Sequence, residues 1–188
     1  MKRVVVGYDG SDTARAALQW GITLAAERGL PLYIAVAWTL PPMEIGGGDQ
    51  PMLDPTVVTS TQQFGQELLS EALRQADDAG VPATGTVEGD APAHVLVEAS
   101  KGSEYLVVGS RGHGTFTALL LGSVSREVAA HAHCTTAIVR PTADPEARDY
   151  VVGTDGSEES LKAWHFAAAE ADRHSRPLRV LHTWDIPP

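Results

Sequence analysis

The sequence predicts an α/β protein: a doubly wound five-stranded parallel sheet with helices on both faces, followed by a partial second copy of its opening β-α-β. Three observations predict this. Strand-like and helix-like segments alternate along the chain. The strand-like runs are apolar at successive positions, as in parallel strands buried on both faces. Residues 4–42 also align without a gap with residues 150–188, at an offset of 146. Right-handed crossovers between parallel strands then place helices on both sides of the sheet.

The elements follow in order. Residues 4–8 form a short β-branched run, the pattern of a buried strand. Ser11 is placed to cap a helix in which Ala14, Ala17, Leu18, Gly21, Ile22 and Ala25 recur at helical spacing. Gly29 ends that helix, and Pro31 precedes a second buried strand at 32–38. Residues 40–55 carry four prolines and Gly46-Gly47-Gly48, which makes them a long surface loop. A second helix over 56–79 stops at Gly80, and 81–87 form a third strand. Asp90 is placed to cap a short helix with Pro92 in its first turn, running to Ser100. Residues 105–108 form a fourth strand leading into Gly109; a helix over 123–133 and a fifth strand at 136–139 follow.

The repeat sets the domain organisation. Of 39 aligned positions, 13 are identical, from Val5-Val6-Gly7 against Val151-Val152-Gly153 to Pro41-Pro42 against Pro187-Pro188. An offset of 146 residues is the size of a domain and not of a solenoid unit. The expected division is a domain at 1–142, a short polar linker at 143–148 and an incomplete second copy at 149–188. Ser157 is placed to cap the second copy's helix, with Ala163, Trp164, Ala167, Ala168 and Ala171 as its apolar stripe. Its strands have counterparts that are central in the first copy, so their edges and apolar faces need covering. Docking on another chain or domain, as in a homo-oligomer, is one expectation. Truncation of a longer tandem protein, leaving 149–188 mobile, is the other.

Composition excludes several classes. With 14 Lys+Arg against 24 Asp+Glu the net charge is −10, which opposes binding to a nucleic-acid backbone. No apolar run approaches the ~18 residues of a membrane span, and the three valines after Met1-Lys2-Arg3 are too few for an export signal. A single cysteine, Cys134, fits a reducing compartment. These features together predict a cytoplasmic protein that binds neither nucleic acid nor membrane.

In a doubly wound sheet, ligands bind beyond the carboxyl ends of the strands, where the strand order reverses. The ends of interest are Asp9, Ala37-Trp38 and Gly109. After the fourth strand comes Gly109-Ser110-Arg111-Gly112-His113-Gly114-Thr115, and nine residues separate Gly112 from Gly122-Ser123 at the start of a helix. Glycines let backbone N–H groups approach a phosphate without a Cβ in the way, and a helix start offers unpaired N–H groups and a positive dipole end. Ser123 and Ser125 add hydroxyls, with Val124 between them, and Arg111 and Thr115 are within reach of phosphate oxygens. The combination points to a nucleotide phosphate.

These residues resemble the universal stress protein family. Gly109-x2-Gly112-x9-Gly122-Ser123 is similar to its ATP-binding signature, and Val5-Val6-Gly7-Tyr8-Asp9-Gly10-Ser11 is similar to its opening strand. The resemblance implies a tandem member with sheet order 3-2-1-4-5 that binds ATP. It places Gly7 and Asp9 at the end of the first strand near the nucleotide, Ala37 against adenine, and Gly109, Gly112, Gly122 and Ser123 at phosphate and ribose. Ser110, Arg111, His113, Gly114 and Thr115 enter by position only. The second copy keeps Gly153 and Asp155 but no glycine signature follows them.

Other chemistries find less support. There is neither a Gly-x4-Gly-Lys-Ser/Thr loop nor a Gly-x-Gly-x2-Gly after the first strand. Asp9 is a turn acid binding backbone or ribose, or else a Mg²⁺ ligand; an Mg²⁺ ion accompanying ATP is expected to be held mainly by the phosphates. His131 and His133 lie two apart and diverge on a helix, which disfavours a metal there. Cys134 has no CxxC partner, and no nucleophile–base–orienter set emerges. The expected function is an ATP-binding regulatory stress protein with little or no hydrolysis. The alternatives are a nucleotide-independent dimerisation module with a vestigial pocket, and a slow ATPase.

Overall fold

The computed structural model describes residues 2–39, 55–112, 121–141 and 149–182. The chain divides into two compact units, Met1–Pro141 and Thr142–Pro188. Among the described residues no helix is long and apolar enough to cross a membrane.

The first unit runs β1 (Val4–Gly7), α1 (Asp12–Arg28), β2 (Leu32–Ala37), α2 (Pro55–Asp78), β3 (Ala83–Glu88), α3 (Pro92–Ser100), β4 (Tyr105–Gly109), α4 (Ser123–His131) and β5 (Thr135–Val139). All pairings are parallel and the sheet order is β3-β2-β1-β4-β5. This is the expected doubly wound sheet. Alternation along the strands splits the core in two. Val4, Val6, Leu32, Ile34, Val36, Tyr105 and Val107 face α1 and α2, packing on Leu18, Ile22, Leu69 and Ala72. Val5, Ala35, Leu106 and Val108 face the other way, onto Val95 and Leu96 of α3 and Val128 of α4. Val4, Val5 and Val6 are all fully buried, which explains a run with no polar position.

Local signals are realised with small shifts at the ends. The Ser11 side chain accepts from the Ala14 N–H at the α1 N-cap, and Gly29 closes that helix in the left-handed region with φ 62°. Strand β1 ends at Gly7, one residue short of expectation, although the Tyr8 N–H still donates to the Ala35 carbonyl. The second strand likewise ends at Ala37, with the Trp38 N–H on the Glu88 carbonyl, and β3 lies later than expected, at Ala83–Glu88. Asp90 does not cap α3. The N-cap is Ala91 with no side-chain bond, while the Asp90 carboxylate accepts from the Ala91 N–H and from His94 Nδ1. Helix α4 stops at His131 and not 133, because the His133 N–H turns to the Ser100 hydroxyl on the neighbouring α3. The expected 40–55 loop and the 143–148 linker fall outside the described residues, apart from Pro55 at the start of α2.

The second unit comprises β6 (Tyr150–Thr154), α5 (Glu158–Arg173) and β7 (Leu178–His182), with β6 and β7 parallel. Its register, Tyr150 against Leu178, repeats Val4 against Leu32. Ser157 caps α5 as expected, accepting from the Ser160 N–H. The expected stripe is only partly buried. Ala167 and Ala171 are covered, whereas Trp164 is 39% exposed at the position equivalent to fully buried Leu18. Leu18 is enclosed because α1 packs on β1, β4 and β5, and among the described residues the second unit has no strands equivalent to β4 and β5.

A Cβ added at Gly109 would stand 2.7 Å from the Thr13 carbonyl carbon and 2.9 Å from the Ala14 nitrogen. Backbone cannot yield as a flexible side chain does. Gly109→Ala is therefore expected to destabilise the first unit by ~1–3 kcal/mol, the usual cost of overpacking, measured by urea unfolding. An unchanged midpoint would show that β4 and α1 are free to separate.

Candidate functional site

The carboxyl ends of β1, β2 and β4 open into a cleft of about 860 Å³. This is ample for a small organic ligand, whose sites usually span ~300–1,000 Å³. Its walls differ in chemistry. Ala35, Ala37, Trp38, Leu96 and Val108 supply an apolar side, and Asp9, Arg111 and the start of α4 supply a polar one.

Two residues after β4, Ser110 and Arg111, hold the polar wall in place. The Thr13 hydroxyl donates to the Arg111 carbonyl, tying the loop to the first turn of α1. The Ser110 N–H donates to the Val139 carbonyl at 2.8 Å. The Ser110 carbonyl accepts from the Gly122 N–H at 2.8 Å and the Ser125 hydroxyl at 3.0 Å. Gly122 is the N-cap of α4 and offers no side chain, and the helix's first i→i−4 bond is Arg126 N–H to the Gly122 carbonyl. The N–H groups of Ser123, Val124 and Ser125 precede that bond and have no carbonyl within the helix. They lie at the edge of the cleft, with the positive end of the helix dipole behind them.

On the opposite side, Asp9 Oδ1 accepts from the Ser11 N–H at 3.0 Å, the turn geometry of an aspartate two residues before its donor. Its other oxygen would lie 2.6 Å from a Cβ on Gly112, so any side chain there would meet the carboxylate. At Gly122 a Cβ would find only ordinary contacts, the nearest being the Arg111 Cα at 3.5 Å. Neither glycine has a positive φ. What they supply is open space beside the backbone.

Of the residues expected at the site, Gly7, Asp9, Ala37, Gly109, Arg111, Gly112, Gly122, Ser123, Val124 and Ser125 all line this one cleft. Two roles change. Ser110 is 2% exposed, and its backbone braces β5 and α4 in place of facing a ligand. The Ser125 hydroxyl is engaged by the Ser110 and Gly122 carbonyls, so it locks the helix start and is no donor to a phosphate. His113, Gly114 and Thr115 lie outside the described residues. The sequence reading missed Thr13, Leu96, Thr39 and Arg126. Only Arg126 carried a local signal: a cation in the fourth position of a helix, where the dipole disfavours it.

Among the described residues the cleft's charged side chains are Asp9, Arg111 and Arg126, a positive balance within a chain of net charge −10. Trp38 forms the end of the apolar wall, and a Cβ on Gly89 would stand 2.9 Å from its ring. Away from the cleft, burial pushes the Cys134 thiol up, which lowers its reactivity.

A doubly wound sheet with a glycine-edged helix start at its switch point defines a class of small-ligand-binding α/β domains. The profile of the universal stress protein family matches residues 1–140 and 147–188, and the chain belongs to that family. Universal stress protein Rv2623 of Mycobacterium tuberculosis is 33% identical over 190 residues, which cover 96% of this chain and 63% of that protein. The chain thus spans under two thirds of that relative's length. Among solved structures, a universal stress protein from Archaeoglobus fulgidus matches 99% of this chain and 67% of its own with TM-score 0.76 at 18% identity, a likeness of fold. Another universal stress protein, solved in complex with cAMP, is 29% identical, with TM-score 0.54 over 75% of this chain and 98% of its own.

At the start of α3, whose Pro92 reaches the cleft, the Asp90 hydrogen bond raises the His94 pKa above 6.5 and His94 lowers that of Asp90 below 3.8. A raised histidine pKa stabilises below the unfolded value and is lost as pH rises through the folded one. A depressed carboxylate pKa stabilises above its unfolded value and is lost as pH falls through the folded one. The pair therefore contributes most between the two ordinary values, from pH 3.8 to 6.5. Proton NMR titration should place the His94 midpoint above 6.5, and Asp90→Asn should bring it back down.

Proposed function

We propose that the cleft of the first unit binds an adenine nucleotide, ATP in particular, and that the protein is a cytoplasmic, tandem-type regulatory binder that turns the nucleotide over slowly or not at all. The observation that carries this reading is the N-terminus of α4, held open beside Gly122 and Gly112 with Arg111 next to it. Backbone N–H groups and a helix dipole at a glycine-edged mouth are suited to phosphate oxygens. The apolar wall of Ala37, Trp38 and Leu96 suits a flat base, and Asp9 suits ribose hydroxyls. The relative in complex with cAMP, at 29% identity, supports an adenine nucleotide. An Mg²⁺ ion bound with ATP would rest mainly on the phosphates, because Asp9 is the lone carboxylate among the described cleft residues. The reading of slow turnover is supported by the described lining, in which Asp9 is accompanied by no histidine or lysine and burial pushes the Tyr8 phenol up.

Calorimetric titration of ATP is the test. Gly122→Leu should weaken binding at least tenfold, ~1.4 kcal/mol, without unfolding the protein, since a Cβ there meets only ordinary contacts. Unchanged affinity in the folded variant would sink the assignment. ATP turnover in the same samples should stay far below the ~1–100 s⁻¹ of kinases.

For the second unit we propose self-association, with a second copy of the chain covering its open sheet face. Val151 and Leu181 are 58% and 56% exposed, while their counterparts Val5 and Ala35 are buried beneath α3 in the first unit. Light scattering should report a dimer or larger species that Val151→Asp with Leu181→Asp converts to monomer. A wild-type monomer would overturn this.

A further inference from the structure

Among the described cleft residues the nucleotide reading leaves one charged side chain unused. Arg126 is exposed, lines the cleft, and stands four residues after Gly122 on α4. Residues four apart share a helix face, and long side chains lean back toward the N-terminus over the preceding turn. A side chain leaning this way reaches toward the Gly122–Ser123 mouth. Among the described residues no carboxylate forms an ion pair with it.

On the far side of the same mouth lies Arg111, whose Cα would be 3.5 Å from a Cβ on Gly122. Two arginines thus line the cleft beside one set of backbone donors, and the Asp9 carboxylate lies next to Gly112. A single phosphate is satisfied by the N–H groups of Ser123, Val124 and Ser125. A second and a third phosphate would need further donors or cations, which the two arginines of the cleft can supply. A cation near the start of a helix opposes the dipole when the site is empty, and that repulsion is relieved when anionic oxygens lie between them.

We propose that Arg126 is a specificity-determining residue that makes the cleft prefer nucleoside tri- and diphosphates over monophosphates. The inference rests on the nucleotide reading above but goes beyond it, because that reading would stand for a site indifferent to phosphate number. Arginine suits this role because its planar fork holds two phosphate oxygens at once, where an ammonium holds a point contact.

The test is titration calorimetry of the 188-residue chain with AMP and with ATP, in magnesium-free buffer at two salt concentrations. Arg126→Gln should weaken ATP about tenfold and AMP less than twofold, and should flatten the salt dependence of ATP binding. Arg126→Lys should recover part of the ATP affinity. Circular dichroism serves as the folding control, and an exposed side chain should pass it. Equal weakening of both nucleotides, or unchanged ATP affinity in Arg126→Gln, would overturn the proposal while leaving the nucleotide site standing. A wild-type chain that binds neither nucleotide would remove the site itself.

Discussion

The close approach of β4 to the first turn of α1 is the constraint on which the carboxyl edge of the first unit depends. Gly109 has backbone atoms of Thr13 and Ala14 where a side chain would be. That contact sets the direction in which the chain leaves β4, and the Thr13 hydroxyl holds the next turn by the Arg111 carbonyl. Ser110 between them reaches β5 through its N–H and α4 through its carbonyl. Three consecutive residues therefore join the ends of two strands and the starts of two helices. Loosening any one of these ties would move the α4 mouth relative to Asp9.

The division of labour across the cleft follows from the same geometry. Alternating side chains send one set of β-strand residues under α1 and α2 and the other under α3 and α4, so neither face of the sheet is left for a ligand. The open space lies at the strand ends, where crossovers leave in opposite directions. There the sheet contributes short apolar side chains, and polar groups come from turns and helix starts. Within an acidic chain, the charged side chains among the described cleft residues, Asp9, Arg111 and Arg126, leave a local positive balance.

Comparing the two copies separates local from long-range effects. The Asp9 carboxylate takes the Ser11 N–H, and the Asp155 carboxylate takes the Ser157 N–H. In the second copy the bonds from Ser157 hold the Asp155 carboxyl at about 2. Both serines cap the helices that follow, and both strand pairs share one register. These features need only neighbours in sequence, and they recur faithfully. Burial does not recur. Val5 is fully buried and Val151 is 58% exposed, because the helix that covers Val5 starts more than eighty residues along the chain, at Pro92.

The amino-acid sequence by itself determined the alternation of strands and helices, the Ser11 and Ser157 caps, the Gly29 stop, and the cluster of glycines that marks the cleft. Each is written in spacing or in a backbone preference confined to a few residues. Element ends were less legible. The Ala91 cap and the early stop of α4 at His131 turn on partners elsewhere, His94 for Asp90 and Ser100 for His133. Within the site, only the tertiary structure separated roles that look alike in sequence. Ser125 reads as a phosphate donor and Ser110 as a site residue by position only, and both are drawn inward to bind main-chain groups. Leu96 joins the site from a segment with no motif, and Thr13 and Arg126 stand just past the Asp9–Ser11 and Gly122–Ser125 runs. Which hydroxyl faces a ligand and which braces a turn depends on where buried carbonyls must find donors. That requirement is met across contacts such as Ser125 to Ser110, which only the folded chain brings together.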